Sequence, residues 1–151
     1  MNRGAIYTGS FNPFHNGHLD IIRRASTIFD FVIVAVANNS NKNYTVSAEE
    51  RAAMVRAAIG ARDDIWQDRI EVMILPEDET VAEFAIKEEI DVIIRGIRNA
   101  SDLDFENVMS AVNRDNGVET LYMPCDPKYS MISSSMIREC LHHNISITGY
   151  V

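Results

Sequence analysis

The stretch AIYTGSFNPFHNGHLDIIRRA, residues 5–25, joins a predicted strand to a predicted helix through an irregular loop. AIYTG (5–9) has the apolar pattern of a strand, and HLDIIRRASTIF (18–29) has the periodicity of an amphipathic helix. Between them, residues 9–18 hold two glycines, one proline, two asparagines and two histidines. A plain connection in an α/β unit needs about two to six residues. The loop is therefore predicted to bind a ligand.

The same strand–helix alternation continues along the chain and predicts one domain over residues 1–151. FVIVAVA is a continuous β-branched run, typical of a strand buried on both faces of a parallel sheet. Ser47 and Glu50 predict a capping box at the start of the second helix, and Gly60 predicts its end. The predicted strands are 5–9, 31–37, 70–75, 91–96 and 118–124, and the predicted helices are 18–29, 47–60, 80–89, 101–113 and 133–143.

This alternation indicates an α/β protein with a Rossmann-like fold, in which helices cover both faces of a five-stranded parallel sheet. Right-handed crossovers most simply give the strand order 3-2-1-4-5. Ligands of open α/β sheets bind outside the carboxyl ends of the strands, where the order reverses. The loops GSFNPFHNGH (9–18), RGIRNASD (95–102) and PCDPKYSMISSS (124–135) should therefore lie at one edge.

Composition narrows the possible partners. The formal net charge of −8 argues against a nucleic-acid surface, because a phosphate backbone requires a basic face. No apolar run approaches the length of a membrane span, and the N-terminus lacks the pattern of a secretory signal, so the cytoplasm is the expected location. Cys125 and Cys140 show no CxxC spacing, which predicts two free thiols rather than a disulfide or a zinc site.

The three loops expected at this edge of the sheet are rich in groups that bind phosphate. Gly17 and His18 should stand at a helix N-terminus with free N–H groups, and Arg95 with Arg98 could grip phosphate oxygens. Ser133, Ser134 and Ser135 add hydroxyls at a second helix N-terminus. Each feature alone has a structural explanation, as a helix cap or a solvated surface pair.

The motifs of other common sites are absent from the sequence. It contains no dinucleotide fingerprint, Walker A loop, nucleophile elbow or paired catalytic carboxylates. Phosphoryl or nucleotidyl transfer remains possible, because it needs chiefly positioning and charge stabilisation.

Two motifs carry a family resemblance. Residues 9–18 (GSFNPFHNGH) and residues 132–139 (ISSSMIRE) are similar to the two signatures of the nucleotidyltransferase superfamily with the HxGH-type motif. Within it, NNSNKN around Lys42, SAEERAAMVRAA, IIRGIRNASDLDFE and KYSMISSS resemble the phosphopantetheine adenylyltransferases along nearly the whole chain. That resemblance implies AMP transfer from ATP to 4'-phosphopantetheine, with Mg²⁺ accompanying ATP, and a homohexamer. It implies no metal site built from protein residues.

The resemblance also implies residue roles. His18 should be the catalytic residue, acting on the α-phosphate in the transition state. The acceptor should be bound by Ser10, Lys42, Val81 and Arg95. ATP should be enclosed by Ser10, Phe11, His18, Gly96, Ile97, Arg98, Glu106, Tyr129, Ser130, Met131, Ile132, Ser133, Ser134 and Ser135.

This sequence departs from the family pattern at a few positions. Ser10 and His15 stand where threonine is usual, and Asn12 replaces the usual aspartate. SFNPFHNGH is similar to the nicotinate and nicotinamide mononucleotide adenylyltransferases, which are the alternative enzyme. A non-catalytic nucleotide sensor of the same architecture is a further alternative. The family pattern also includes one more helix after the position of Val151.

Overall fold

The structure, a computed structural model, is described for residues 3–39, 43–44 and 46–151. Its centre is a parallel sheet in the order β3-β2-β1-β4-β5, as the sequence predicts. β1 pairs with β2 along its whole length, from Gly4 opposite Phe31 to Gly9 opposite Val36. The strands are β1 (Gly4–Gly9), β2 (Phe31–Val36), β3 (Ile70–Ile74), β4 (Val92–Ile97) and β5 (Glu119–Pro124).

A helix follows each strand, and every helix end lies within two residues of the prediction. The first helix begins two residues early, because His15 caps it and Asn16 is already helical. The third helix ends at Lys87 rather than at residue 89, where Glu89 takes a positive φ of 57°. The helices are α1 (Asn16–Ile28), α2 (Ala48–Gly60), α3 (Val81–Lys87), α4 (Ala100–Asp115) and α5 (Ser134–His142). In the described part of the chain, none of them combines the length and apolarity that a membrane span requires.

Local sequence determines where two of these helices start. Ser47 and Glu50 form the predicted capping box of α2: Ser47 Oγ accepts from Glu50 N–H, and the Glu50 carboxylate accepts from Ser47 N–H. Thr80 and Glu83 repeat this arrangement at α3. Each box gives two unpaired N–H groups a partner inside the chain.

The hydrophobic core lies on both faces of the sheet, as the fold prediction requires. Alternate residues of a strand point to opposite faces. Tyr7 and Val34 therefore belong to the cluster under α1 and α2, whereas Ile6 and Ile33 belong to the cluster under α3. β1 and β2 are buried on both sides, which explains their nearly continuous apolar sequence.

The strand order places one end of β1 beside one end of β4. Pairing of Ile6 with Ile93 and of Tyr7 with Ile94 sets these neighbours in register. The loops that follow the two strands then leave the sheet at the same edge. Main-chain hydrogen bonds extend the sheet slightly beyond this point, from Ala37 N–H to Gly9 O and from Cys125 N–H to Ile97 O.

Replacing Phe84 with alanine tests the core cluster under α3. This α3 side chain is 2% exposed, so Phe84→Ala should lower the free energy of unfolding by about 3–5 kcal/mol. Ile86 on the same helix is 56% exposed, and Ile86→Ala should cost no more than about 0.5 kcal/mol. Urea unfolding of both variants checks the difference, and equal losses would contradict a core on this face.

Candidate active site

A pocket of about 410 Å³ opens at the carboxyl ends of β1, β4 and β5. It brings together the three loops that the sequence singles out. The predicted site residues that line it are Ser10, Phe11, His18, Arg95, Gly96, Arg98, Glu106, Tyr129, Ile132, Ser133, Ser134 and Ser135. The strand order therefore gathers most of the predicted site from segments far apart in the sequence.

Some predicted site residues lie elsewhere. Ile97, Ser130 and Met131 are outside the lining; the Met131 side chain is 85% exposed, and Ser130 Oγ donates to Pro127 O. Val81 packs against the core cluster under α3. Lys42 lies outside the described residues. A larger share of the predicted ATP residues than of the predicted acceptor residues therefore lines the pocket.

The pocket also contains residues that were not predicted as ligands. Asp102 and Arg138 lie within motifs that carry the family resemblance, so their sequence context was a usable signal. Thr8 and Cys125 follow from strand position alone, at the ends of β1 and β5. Cys125 is a free thiol, as is Cys140, in agreement with the sequence prediction.

The expectation of free N–H groups at the start of α1 is wrong. His15 is the N-cap, and its Nδ1 accepts from Gly17 N–H at 3.1 Å and from His18 N–H at 3.4 Å. Asn16 N–H donates to Tyr150 O at 2.8 Å. The first turn is thus occupied by the chain itself, because His15 has a ring nitrogen that reaches both groups.

Main-chain geometry also fixes the tautomer of His18. His15 N–H donates to His18 Nδ1 at 3.2 Å, so this nitrogen carries the lone pair and Nε2 carries the proton. The two imidazole rings stack with centroids 3.6 Å apart, and the Phe11 ring meets His18 edge-on at 5.0 Å. His18 therefore has one N–H donor, held in a fixed ring.

Both histidines are held neutral. Burial, followed by the repulsion that a protonated His15, Arg95 and Arg98 would exert, lowers the pKa of His18 well below 6.5. Burial, with a smaller contribution from Arg98, lowers the pKa of His15 to about 4. At pH 7 the site thus contains neutral imidazoles, so its positive charge comes from arginine.

Arg95 is oriented by three hydrogen bonds. Its Nε and Nη2 donate to the two carboxylate oxygens of Glu106 at 3.0 and 2.8 Å, and Nη1 donates to Thr8 O at 2.7 Å. This bidentate pair is partly buried, which limits solvent screening. The guanidinium is thereby fixed between the ends of β1 and β4.

Arg98 is held in the same way by α4. The Asp102 carboxylate accepts from the backbone N–H and from Nε of Arg98, at 3.0 and 3.1 Å. Burial alone would raise the pKa of Asp102, but the hydrogen bonds from Arg98 outweigh it and lower the pKa below its ordinary value. Arg98 Nη1 also reaches Ile132 O at 3.4 Å, which connects the RGIR loop to the distal motif.

The distal serines tie the two superfamily motifs together. Ser133 caps α5 through Met136 N–H, and Ser134 Oγ donates to Pro13 O at 2.9 Å. Arg138 donates to Asn12 O at 2.6 Å and to Ser135 Oγ at 3.1 Å. Among the described residues, the backbone N–H groups of Ser134 and Ser135 have no partner, so α5 has free N–H groups where α1 does not.

The carboxylates of the pocket do not form a metal site. Asp102 and Glu106 each bind an arginine, and the part of the chain that the structure describes has no cluster of three or more histidine, cysteine, aspartate or glutamate ligands. A divalent cation here would take its ligands from phosphate oxygens and water.

Comparison with known proteins identifies the family. The family model described as cytidylyltransferase-like matches residues 6–140. A phosphopantetheine adenylyltransferase of Micrococcus luteus is 40% identical over 138 residues, covering 91% of this chain and 84% of that protein. The enzyme of that name from Clostridium perfringens is 38% identical, with coverage of 99% and 88%. This chain belongs to the phosphopantetheine adenylyltransferases of the cytidylyltransferase-like family.

Solved structures agree on the fold of this family member. The nicotinic acid mononucleotide adenylyltransferase of Plasmodium falciparum, complexed with NaAD, aligns with a TM-score of 0.74 and 15% identity, over 100% of this chain and 91% of that one. A bifunctional NMN adenylyltransferase/ADP ribose pyrophosphatase of Francisella tularensis aligns with a TM-score of 0.69 and 18% identity, over 100% of this chain and 44% of that one. At such identities the likeness shows the shared fold alone.

The His15 cap predicts a pH-dependent stability. Between pH 6.5 and about 4 the unfolded chain binds a proton that folded His15 does not, so stability falls as the pH falls through this range. His15→Thr keeps a capping side chain without an imidazole. Between pH 7.5 and 5, the natural chain should therefore lose about 2 kcal/mol more than the variant. Urea unfolding at both pH values measures this difference, and equal losses would contradict a neutral His15 cap.

Proposed function

We propose that this chain transfers AMP from ATP to 4'-phosphopantetheine, giving 3'-dephospho-coenzyme A and pyrophosphate. Family membership makes the chain a nucleotidyltransferase. The observation that supports the proposal most is the pocket itself, in which His18, the arginines of the RGIR loop and the serines of the distal motif line one cavity. Anionic groups on both substrates match this positive, donor-rich lining.

ATP would lie between the two superfamily motifs. Arg98, Arg138 and the free N–H groups at the start of α5 can bind its phosphates, since a helix N-terminus favours anions. The segment from Tyr129 to Ser135, with Gly96 behind it, would enclose the nucleoside. Gly96 lies in β4, beside the Ile21 side chain of α1, and lines the pocket.

The acceptor phosphate would lie nearer β1. Arg95 faces the pocket from β4, with its orientation fixed by Glu106, and Ser10 offers a hydroxyl on the other side. We assign Lys42 to the same phosphate and Val81 to the pantetheine arm, on the basis of the family resemblance. Fixing a guanidinium before the ligand arrives reduces the entropy lost on binding.

His18 would stabilise the transition state. The attacking group is a phosphate with a second pKa of about 6, so it is already largely ionised at pH 7 and needs no general base. Its oxygen forms a bond to the α-phosphorus, and the bond from that phosphorus to pyrophosphate breaks. The N–H at Nε2 of neutral His18 would donate to an α-phosphate oxygen as negative charge builds there.

Mg²⁺ is proposed to enter with ATP, held by its phosphate oxygens. It would neutralise the charge of the leaving pyrophosphate, and the chain would contribute the arginines beside it. Asp102 and Glu106 remain bound to Arg98 and Arg95 and so keep these cations in place.

A homohexamer is the proposed assembly. The α4 helix exposes the apolar side chains Leu103, Phe105, Val108, Met109 and Val112, of which Phe105 is 74% exposed. An exposed apolar face of this kind is typical of an interface. The free thiols Cys125 and Cys140 fit the proposed cytoplasmic location, where thiols stay reduced.

The choice of acceptor tests the proposed function. Pyrophosphate release from MgATP should be rapid with 4'-phosphopantetheine and undetectable with pantetheine, which lacks the ionised nucleophile. Nicotinate mononucleotide should also be inactive, and a reaction without acceptor serves as the control. Preferential turnover of nicotinate mononucleotide would support the alternative enzyme instead. Stoichiometric ATP binding without pyrophosphate release from any acceptor would favour the sensor.

Replacing His18 tests the transition-state role. His18→Ala should lower kcat by about 10²–10³, the usual effect of losing one preorganised donor, while ATP affinity changes far less. Steady-state kinetics and calorimetric ATP titration measure the two effects. His143, exposed and paired with Glu139 on α5, gives a matched control, because His143→Ala should leave kcat unchanged. Near-normal kcat in a folded His18→Ala protein would refute the assignment.

A further inference from the structure

Tyr7 places a buried hydroxyl in the wall of the pocket. It lies in β1, is 5% exposed and belongs to the pocket lining. Its ring is part of the core cluster under α1 and α2 and packs against the Phe11 ring, with centroids 5.7 Å apart. A Cβ atom added to Gly96 would lie 4.0 Å from the Tyr7 hydroxyl, so the hydroxyl lies beside this pocket residue of β4. The core therefore anchors the ring, and its polar end lies at the pocket.

This hydroxyl has no hydrogen-bond partner in the part of the chain that the structure describes. Arg95 and Cys125 are close enough to influence its ionisation, but both are bound elsewhere. Arg95 donates to Glu106 and to a backbone carbonyl, and Cys125 Sγ donates to another backbone carbonyl at 3.3 Å. A buried hydroxyl without a partner is costly and rare in native proteins. Because this one lies at a pocket, its position indicates a ligand.

The Tyr7 phenol stays neutral at physiological pH. Burial raises the pKa of Tyr7 well above its ordinary value of 10.0, and the positive charge of Arg95 opposes this effect only in part. A neutral phenol donates one hydrogen bond and can accept another. It therefore matches a sugar hydroxyl, which also both donates and accepts.

The groups that can bind the ATP phosphates lie on other elements of the fold. Arg98 directly follows β4 and is held by α4, whereas Arg138 and the free N–H groups belong to α5. Tyr7 and Gly96 lie instead on the adjacent strands β1 and β4, with Ile21 of α1 beside them. The nucleoside is proposed to lie in front of Gly96, so its ribose would come next to the Tyr7 hydroxyl.

We infer that Tyr7 is a nucleotide-binding residue whose hydroxyl forms a hydrogen bond with a ribose hydroxyl of ATP. This inference deepens the proposed function and rests on it, because it takes the pocket as the ATP site. The ribose is not changed when AMP is transferred, so the contact is equally strong in the ground state and in the transition state. Such a contact contributes to ATP affinity and leaves kcat unchanged.

Tyr7→Phe tests the inference, because it removes the hydroxyl and keeps the ring in the core. Calorimetric ATP affinity should fall about 3–10-fold, the usual effect of losing one neutral hydrogen bond, while kcat stays within about twofold. The melting temperature should not fall, because the hydroxyl makes no hydrogen bond to the described chain. Tyr122 on β5 gives the matched control: its hydroxyl donates to Asn107 Oδ1 at 2.9 Å outside the pocket, so Tyr122→Phe should leave ATP affinity unchanged.

Deoxynucleotides identify the group that Tyr7 binds. 2'-deoxyATP and 3'-deoxyATP each lack one of the two ribose hydroxyls. One of the two should bind the natural chain more weakly than ATP does, and Tyr7→Phe should cause no further loss of affinity for that analogue. An equal loss for ATP and for both analogues would place the contact outside the ribose hydroxyls and overturn the inference.

The remaining outcomes separate this inference from the proposed function. A natural chain that does not bind ATP would overturn the proposed function, and the inference with it. If the natural chain binds ATP and releases pyrophosphate, unchanged ATP affinity in Tyr7→Phe would overturn the inference alone. A lower melting temperature or a lower kcat without loss of ATP affinity would do the same, because Tyr7 would then support the fold or the transition state.

Discussion

The cap that His15 places on α1 is the constraint on which the site depends. Its Nδ1 accepts the N–H groups of Gly17 and His18, and its own N–H donates to His18 Nδ1. The helix start and the His18 ring are therefore fixed by one reciprocal arrangement. Because the His18 Nδ1 is occupied by the main chain, the proton is confined to Nε2. A donor held in a fixed position before the reaction suits the proposed stabilisation of an α-phosphate transition state.

The arginines complete this site by a different principle. Arg95 and Arg98 are each paired with a carboxylate from α4, so the pocket keeps its cations oriented before any phosphate enters. Such pairing lowers the positive charge of the pocket. It also lowers the entropy that the long arginine side chains lose when a ligand binds. Among the described residues, the free N–H groups at the pocket come from α5 instead of α1, because His15 occupies the first turn of α1.

The strand order and the three loops that line the pocket were predictable from sequence, whereas the hydrogen-bond partners of the pocket residues were not. β-branched runs and the capping pair Ser47–Glu50 act locally, and local signals can be read from sequence. The cap by His15 depends on which ring nitrogen reaches which N–H group. Differences of tenths of an ångström in these distances decide the partners, and no sequence pattern encodes them. Val81 and Met131 lie outside the pocket lining, and their predicted roles depend on family resemblance.

The proposed role of His18 depends on its protonation state, and nitrogen NMR of the chain labelled with ¹⁵N at histidine measures this state directly. With only four histidines, the His18 signals can be assigned by comparison with a His18→Gln sample. We predict an unprotonated Nδ1 and a protonated Nε2 from pH 8 down to pH 5.5, since the pKa of His18 lies well below 6.5. A proton on Nδ1, or a cationic ring at pH 6, would contradict the account.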